Sequence, residues 1–336
     1  MSRKDTSALY EEALRTGQSI ALYRLPGTRT VQHISGGVVR KLKDGQEGFA
    51  FAPFDPKAKA YYIVNGKGAT MPPPPVGKQK VASKTSFMKL VKNISSAIRT
   101  GTYGKIVAAR ALSISKPSDF DPPSFFDKLC ATYPKAFVSL TMIPGVGLWI
   151  GASPEVLAAQ QGEKLTTYSL AGTKAINDKT PWGEKEKQEQ AIVTDFIRKK
   201  LELLRDVQIT AKGPATREAG SLKHLLTTFT VTAPRRAIWQ QVVKSLHPTP
   251  AVSGMPQARS VKYIQTEEGF DRRFYAGYLG PVNRNGRTDL FVNLRCMEVT
   301  SAQLIFYAGC GITADSDPAK EWEESERKIA VLKSLL

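Results

Sequence analysis

Apolar residues recur at helical spacing between positions 87 and 99, at Phe87, Leu90, Val91, Ile94 and Ile98, so this segment is predicted to lay one helical face on a core. Short apolar runs of strand character are more numerous. They fall at 19–23 and 60–64, at 106–110 directly after the helix, and at 136–140 and 147–151. Pro144-Gly145 separates the last two, a turn pair that predicts a hairpin. Helical patterning returns over about 185–205, where Ile192, Val193, Phe196 and Ile197 mark one face, and over 319–334. Strands outnumber helices and do not alternate regularly with them, which argues against a doubly wound parallel sheet. The expected fold class is α/β of the α+β type, dominated by antiparallel sheet with helices on the outside.

One segment interrupts this pattern. Residues 67–84 contain Met71 followed by Pro72, Pro73, Pro74 and Pro75, and such a run fits neither a helix interior nor a central strand. It is expected to be an extended surface connection between an amino-terminal sheet portion, 1–66, and the remainder, 85–336, of a single domain.

Composition narrows the class without deciding it. The 336 residues are 41% hydrophobic, enough for a large core, and no stretch of eighteen apolar residues occurs. The charged start, with no apolar h-region, predicts a cytoplasmic protein with no membrane association. Cys130, Cys296 and Cys310 are widely spaced and form no C-x-x-C pair, so neither a disulfide frame nor a structural zinc site is expected. A net charge of +18 suits either nucleic acid or a small anionic substrate. The basic residues are scattered among acidic ones and no recognition motif accompanies them, so no nucleic-acid partner is expected.

Candidate chemistry concentrates at the carboxyl end. Pro318 suits a first helical position with Asp317 as its cap, which puts Glu321 and Glu324 on one face and Lys328 one turn further on. Glu186 and Glu189 repeat the i, i+3 spacing on the 185–205 segment. Facing carboxylate pairs on two helices are what a hard cation such as Mg2+ requires, although each helix alone reads more readily as a solvated charged face. The proline-punctuated stretch 246–256 would present His247 and Thr249, and Glu155 follows a strand end at Ser153-Pro154. Glycines at 172, 277 and 280 mark places where backbone can approach a ligand.

Taken in order, Lys105-Ile106-Val107, Ser153-Pro154-Glu155, Leu170-Ala171-Gly172-Thr173, Glu186 with Glu189, His224-Leu225, 246–256, 275–282, Arg295 and 309–328 give the chain a resemblance to the chorismate-utilising enzymes, and among them to the isochorismate synthases. The resemblance runs from about Lys84 onward. It implies one domain of large antiparallel sheets packed together, with the active site in a cleft between them and 85–336 as the catalytic portion. It further implies Lys105 as general base for an attacking water and Glu155 as general acid for a departing hydroxyl. Glu189 and Glu324 would hold Mg2+, with Glu186 and Glu321 as further ligands. Lys328, Thr173, Gly309 and Gly311 would serve the ring carboxylate of chorismate, Arg295 and Tyr275 the enolpyruvyl carboxylate, and His247, Ala251 and Val252 the ring pocket.

Lysine at 105, where ammonia-using relatives typically carry glutamine, points to water as nucleophile. Ala251 after Pro250 resembles enzymes that stop at isochorismate, whereas Tyr275 also suits a salicylate synthase that goes on to eliminate pyruvate. A basic, non-catalytic nucleic-acid-binding protein on the same fold is the third reading. Gln190, Lys174 and Asn283 depart from the family pattern without removing a proposed catalytic group. The product of an isochorismate synthase feeds menaquinone, siderophore or salicylate synthesis, and a monomer is the simple expectation.

Overall fold

Ile20 and Leu22 belong to one hydrophobic cluster and Ala21 and Tyr23 to another, and all four are fully buried, so the first strand has a core on each side. The computed structural model describes residues 3–66, 81–219, 222–234 and 237–336. Most of the proline-rich connection, 67–80, therefore lies outside the described residues. Along the chain, α1 (Arg3–Thr16) leads into β1 (Ser19–Arg24), β2 (Val31–Val39), β3 (Gly48–Ala52) and β4 (Tyr61–Asn65), followed by α2 (Lys84–Arg99), β5 (Lys105–Ser115) and α3 (Pro122–Thr132). The middle holds β6 (Phe137–Ile143), β7 (Gly147–Ser153), β8 (Val156–Gln161), β9 (Lys164–Ala175), α4 (Glu184–Glu202), β10 (Gln208–Ala219) and β11 (Leu222–Thr232). Then come α5 (Ile238–Leu246), β12 (Gly254–Met255), α6 (Gln257–Glu267), β13 (Tyr278–Val282), β14 (Arg287–Val292), β15 (Cys296–Val299), β16 (Gln303–Ile312) and α7 (Pro318–Lys333).

The packed sheets expected from the sequence are one hydrogen-bonded sheet of 16 strands, in the order β10-β11-β9-β8-β14-β13-β3-β4-β2-β1-β6-β7-β15-β16-β5-β12. Adjacent strands in it pair antiparallel, as in the β6–β7 hairpin and the long β5–β16 ladder. Distant strands nevertheless meet face to face. Phe137 of β6 stacks on Phe291 of β14 at 4.1 Å, and Trp149 of β7 lies edge-on to Phe51 of β3. The sheet thus doubles over a core that includes Phe49, Phe51, Trp149, Phe229 and Trp239, while α1, α3 and part of α7 cover a second core on the outer face through Tyr10, Phe126, Leu129 and Ile329. The amino-terminal portion lies in the middle of this sheet: β3 pairs with β13 and β1 with β6.

Two crossovers decide where chemistry can be placed. Pro154 and Glu155 carry the chain from β7 to β8, and residues 293–295 carry it back from β14 to β15, each passing between the two halves of the sheet. They run side by side, because the Val292 N–H donates to the Glu155 carbonyl and the Ala152 N–H to the Arg295 carbonyl, both at 3.0 Å. Arg295 itself takes a φ of +47°, a left-handed conformation that turns the chain at this point.

Candidate active site

Lys105 opens β5, where the short strand β12 flanks one edge and β16 the other. Burial drives its amine toward the neutral form and below the usual lysine range. Glu189 is the largest opposing influence, Lys328 adds to the lowering, and Glu155 and Glu324 oppose it. Residues from β5, the β7–β8 crossover, α4 and α7 therefore converge on one amine. Gly311, on the neighbouring strand β16, makes room for it: a Cβ there would stand 2.8 Å from Lys105 Cε and 3.2 Å from Nζ.

Glu155 shows the opposite shift. Desolvation pushes its carboxyl up to about 7, with the Lys105 amine pulling it back only in part. An amine biased toward its neutral form and a carboxyl biased toward its protonated form thus act on each other, in the states needed by a general base and a general acid.

Cationic groups collect beside this pair. Lys328 donates to the Gly309 carbonyl at 2.8 Å and forms an ion pair with Glu324 at 2.5 Å. Arg295 is lowered by burial, with Tyr275 and Glu324 the main groups that favour its charge. Tyr275 is buried and stacked on Tyr307, and a Cβ on Gly309 would come within 2.8 Å of its hydroxyl. Two cations and a phenol near bare glycine backbone form a receptor for a small molecule with more than one carboxylate.

The carboxylates on α4 and α7 are not simply solvated faces. Glu186, Glu189, Glu321 and Glu324 are half-buried, while their neighbours Lys187, Gln188, Glu323 and Glu326 are exposed. Asp317 caps α7 as its sequence predicts, accepting from the Ala319 and Lys320 amides, both at 2.9 Å. Glu321, Glu324 and Cys310 bring ligand atoms within 4.8 Å of one another. The Cys310 thiol is engaged with the Glu321 backbone carbonyl at 3.3 Å, which leaves the carboxylate oxygens as the donors of this group. That donor chemistry fits Mg2+ and not a thiolate-seeking metal. On α4, Glu186 fits closely over Gly172, whose φ of +64° lies at a bulge between β9 and β11.

The remaining expected residues divide. Val252 is buried and its carbonyl accepts from Arg272 at 2.7 Å, with Ala251 half-buried beside it. Thr173 lies opposite His224 in the β9–β11 ladder, and its side chain falls outside the described residues. His247 ends α5, its Nε2 lies 3.0 Å from the Pro53 carbonyl, and it meets Tyr278 edge-on beside a cavity of about 260 Å³. Thr249 is likewise buried and not displayed. His224, which the sequence offers only as part of the ordered pattern, has its Nδ1 3.2 Å from the Gly172 carbonyl, beside the Glu186 bulge. Gln190 bridges α4 to two strands, donating to the Ser169 carbonyl at 3.1 Å and to Thr227 at 3.2 Å, so its departure from the family pattern keeps a side chain that fixes α4.

Comparison with known proteins identifies the family. The pattern of the family described as "Chorismate binding enzyme" matches residues 59–336, somewhat more than the stretch from Lys84 onward that the motifs covered. The chain is 30% identical over 277 residues to the salicylate biosynthesis isochorismate synthase of Pseudomonas aeruginosa, covering 78% of this chain but only 58% of that protein. It is 26% identical over 267 residues to the isochorismate synthase EntC of Escherichia coli, covering 76% and 68% of the two chains. Its fold matches the structure of MenF, the menaquinone-specific isochorismate synthase of Escherichia coli, with a TM-score of 0.80 at 20% identity, over 95% of this chain and 88% of that one.

Proposed function

The chain belongs to the chorismate-binding enzymes, and from that membership we propose that it is an isochorismate synthase, converting chorismate to isochorismate. The observation that carries the reading is the opposed bias of Lys105 and Glu155, two buried groups that act on each other. The relatives described above, each bearing the name of an isochorismate synthase, support the same choice. Neutral Lys105 takes a proton from water as its oxygen bonds to ring C2. The ring double bonds shift, the C4–O bond breaks, and Glu155 gives its proton to the departing hydroxyl. A hydroxyl is gained and one is lost, so the product is an isomer of the substrate, and proton return from Lys105 to Glu155 resets the site.

Binding groups around that pair hold the ring still. Arg295 and Tyr275 face the enolpyruvyl carboxylate, and Lys328 with the Gly309 and Gly311 backbone serves the ring carboxylate, which fixes C2 and C4 against base and acid. Glu189 and Glu324 would hold Mg2+, with Glu186 and Glu321 as further direct or water-mediated ligands, and the bound ion would neutralise and orient the ring carboxylate.

Incubating the purified protein with chorismate, with and without Mg2+, and separating the products tests this directly. Isochorismate formed only with Mg2+ is the expected result. Salicylate with pyruvate would reassign the chain to the pyruvate-eliminating enzymes, and no conversion by folded protein would remove the enzymatic reading.

A further inference from the structure

The edge of β5 that carries Lys105 is only briefly paired. Strand β12 covers it at Lys105 and Ile106, and the Val107 N–H reaches the Ser253 carbonyl at 2.9 Å. Beyond that point a buried ion pair takes the place of a strand. Arg272 Nη2 donates to the Val107 carbonyl at 2.8 Å, and the Ala109 N–H donates to Glu268 Oε1 at 2.7 Å. Without these partners both backbone groups would be buried and unmet, a costly arrangement. Arg272 also donates through Nε to Glu268 Oε2 at 2.7 Å, through Nη2 to Glu268 Oε1, and through Nη1 to the Val252 carbonyl at 2.7 Å. Arg272 and Glu268 are both buried.

One guanidinium therefore joins the strand of the base to the loop of the ring pocket. Its position is fixed in turn by Phe54, whose ring centroid lies 4.4 Å from the guanidinium carbon, with the Tyr275 ring on another side at 5.9 Å. Among the described residues, the hydrogen bonds of this pair run to β5, to the Val252 loop and within the pair itself, and not to α4 or α7, the helices that carry the proposed metal ligands.

We propose that Arg272 and Glu268 are positioning residues for the reaction, setting the distance between Lys105 and the ring held at Val252. The inference rests on the isochorismate synthase reading. A lysine at 272 keeps the charge but not the planar fork that reaches Glu268, Val107 and Val252 together.

The test compares wild type, Arg272→Lys and Glu268→Gln for kcat, the KM for chorismate, the Mg2+ concentration giving half activity, and melting temperature. Positioning predicts folded variants whose kcat falls roughly 10- to 100-fold, as expected for a small misplacement of reacting groups, with the Mg2+ requirement unchanged. Wild-type kcat in either folded variant, or a kcat loss that only follows the folded fraction and a raised Mg2+ requirement, would overturn it. If Arg272→Lys does not fold, Glu268→Gln decides, since it keeps an acceptor for the Ala109 amide. Should the wild type fail to turn chorismate over, the functional reading fails separately. Positioning is then read from acetic anhydride labelling of Lys105, followed by peptide mass spectrometry: a changed rate at this lysine alone supports it, and an unchanged rate overturns it.

Discussion

At the scale of single residues, the proposed chemistry depends on protonation states that follow from burial. Glu155, pushed up to about 7, is protonated below that pH and loses its proton as pH rises through it, so kcat/KM should decline on the alkaline side with a midpoint near 7. The same shift has a stability consequence. A carboxyl whose folded-state pKa is raised stabilises the fold at low pH, and that contribution is lost as pH rises through the folded value. Glu155→Gln, neutral throughout, should therefore melt increasingly above wild type between pH 5 and pH 8, and thermal melts showing a constant gap would contradict the assignment. Gly311→Ala tests the room left for the base: its Cβ would crowd Lys105 Cε at 2.8 Å, so kcat should fall at least about tenfold in steady-state assays while the fold is kept. The identities of Lys105 and Glu155 were legible from ordered motifs, but their protonation states were not, because burial belongs to the folded chain. His247 shows the limit from the other side, since a histidine beside prolines looked displayed and instead turns to the Pro53 carbonyl.

At the scale of elements, α7 was legible because its start is written locally, with Asp317 as cap, Pro318 at the first position and carboxylates three apart. Helix α3 carries the same opening in Asp121 and Pro122, yet its 11 residues give too short an apolar repeat to announce themselves. The strands β9, β10 and β11 were harder still, being rich in Thr and Lys and only partly buried, so hydrophobic alternation hardly marks them. The pairing of α4 with α7 around one amine is tertiary and could be supplied only by the family resemblance. It predicts that Glu324→Ala and Glu189→Ala each raise the Mg2+ concentration needed for half activity by tenfold or more in an activity titration, as loss of a carboxylate ligand should. Unchanged Mg2+ dependence in both would remove the two-helix site.

At the scale of the whole molecule, the site exists because one sheet of 16 strands doubles over and its two crossovers deliver Glu155 and Arg295 side by side. Antiparallel sheet with outer helices was legible from strand-like runs without βα alternation, but not the doubling, which depends on contacts such as Phe137 on Phe291 between strands far apart in the sheet. Among the described residues no helix is long and apolar enough to cross a membrane. A net charge of +18 gains a purpose if the substrate is a small dianion, since a basic surface draws it in through a field that salt screens. The kcat/KM for chorismate should accordingly fall as ionic strength rises, with kcat little changed, and a salt-independent kcat/KM would leave the charge unexplained.

In the proposed reaction water, activated by Lys105, attacks the ring while Glu155 releases the old hydroxyl. Turnover of chorismate in 18O-labelled water, with the product's mass read by spectrometry for wild type and Lys105→Gln, tests it most directly. The expected result is one 18O atom in the isochorismate made by wild type, and turnover reduced about 100-fold or more in the variant. Unlabelled isochorismate, or full activity without Lys105, would contradict it.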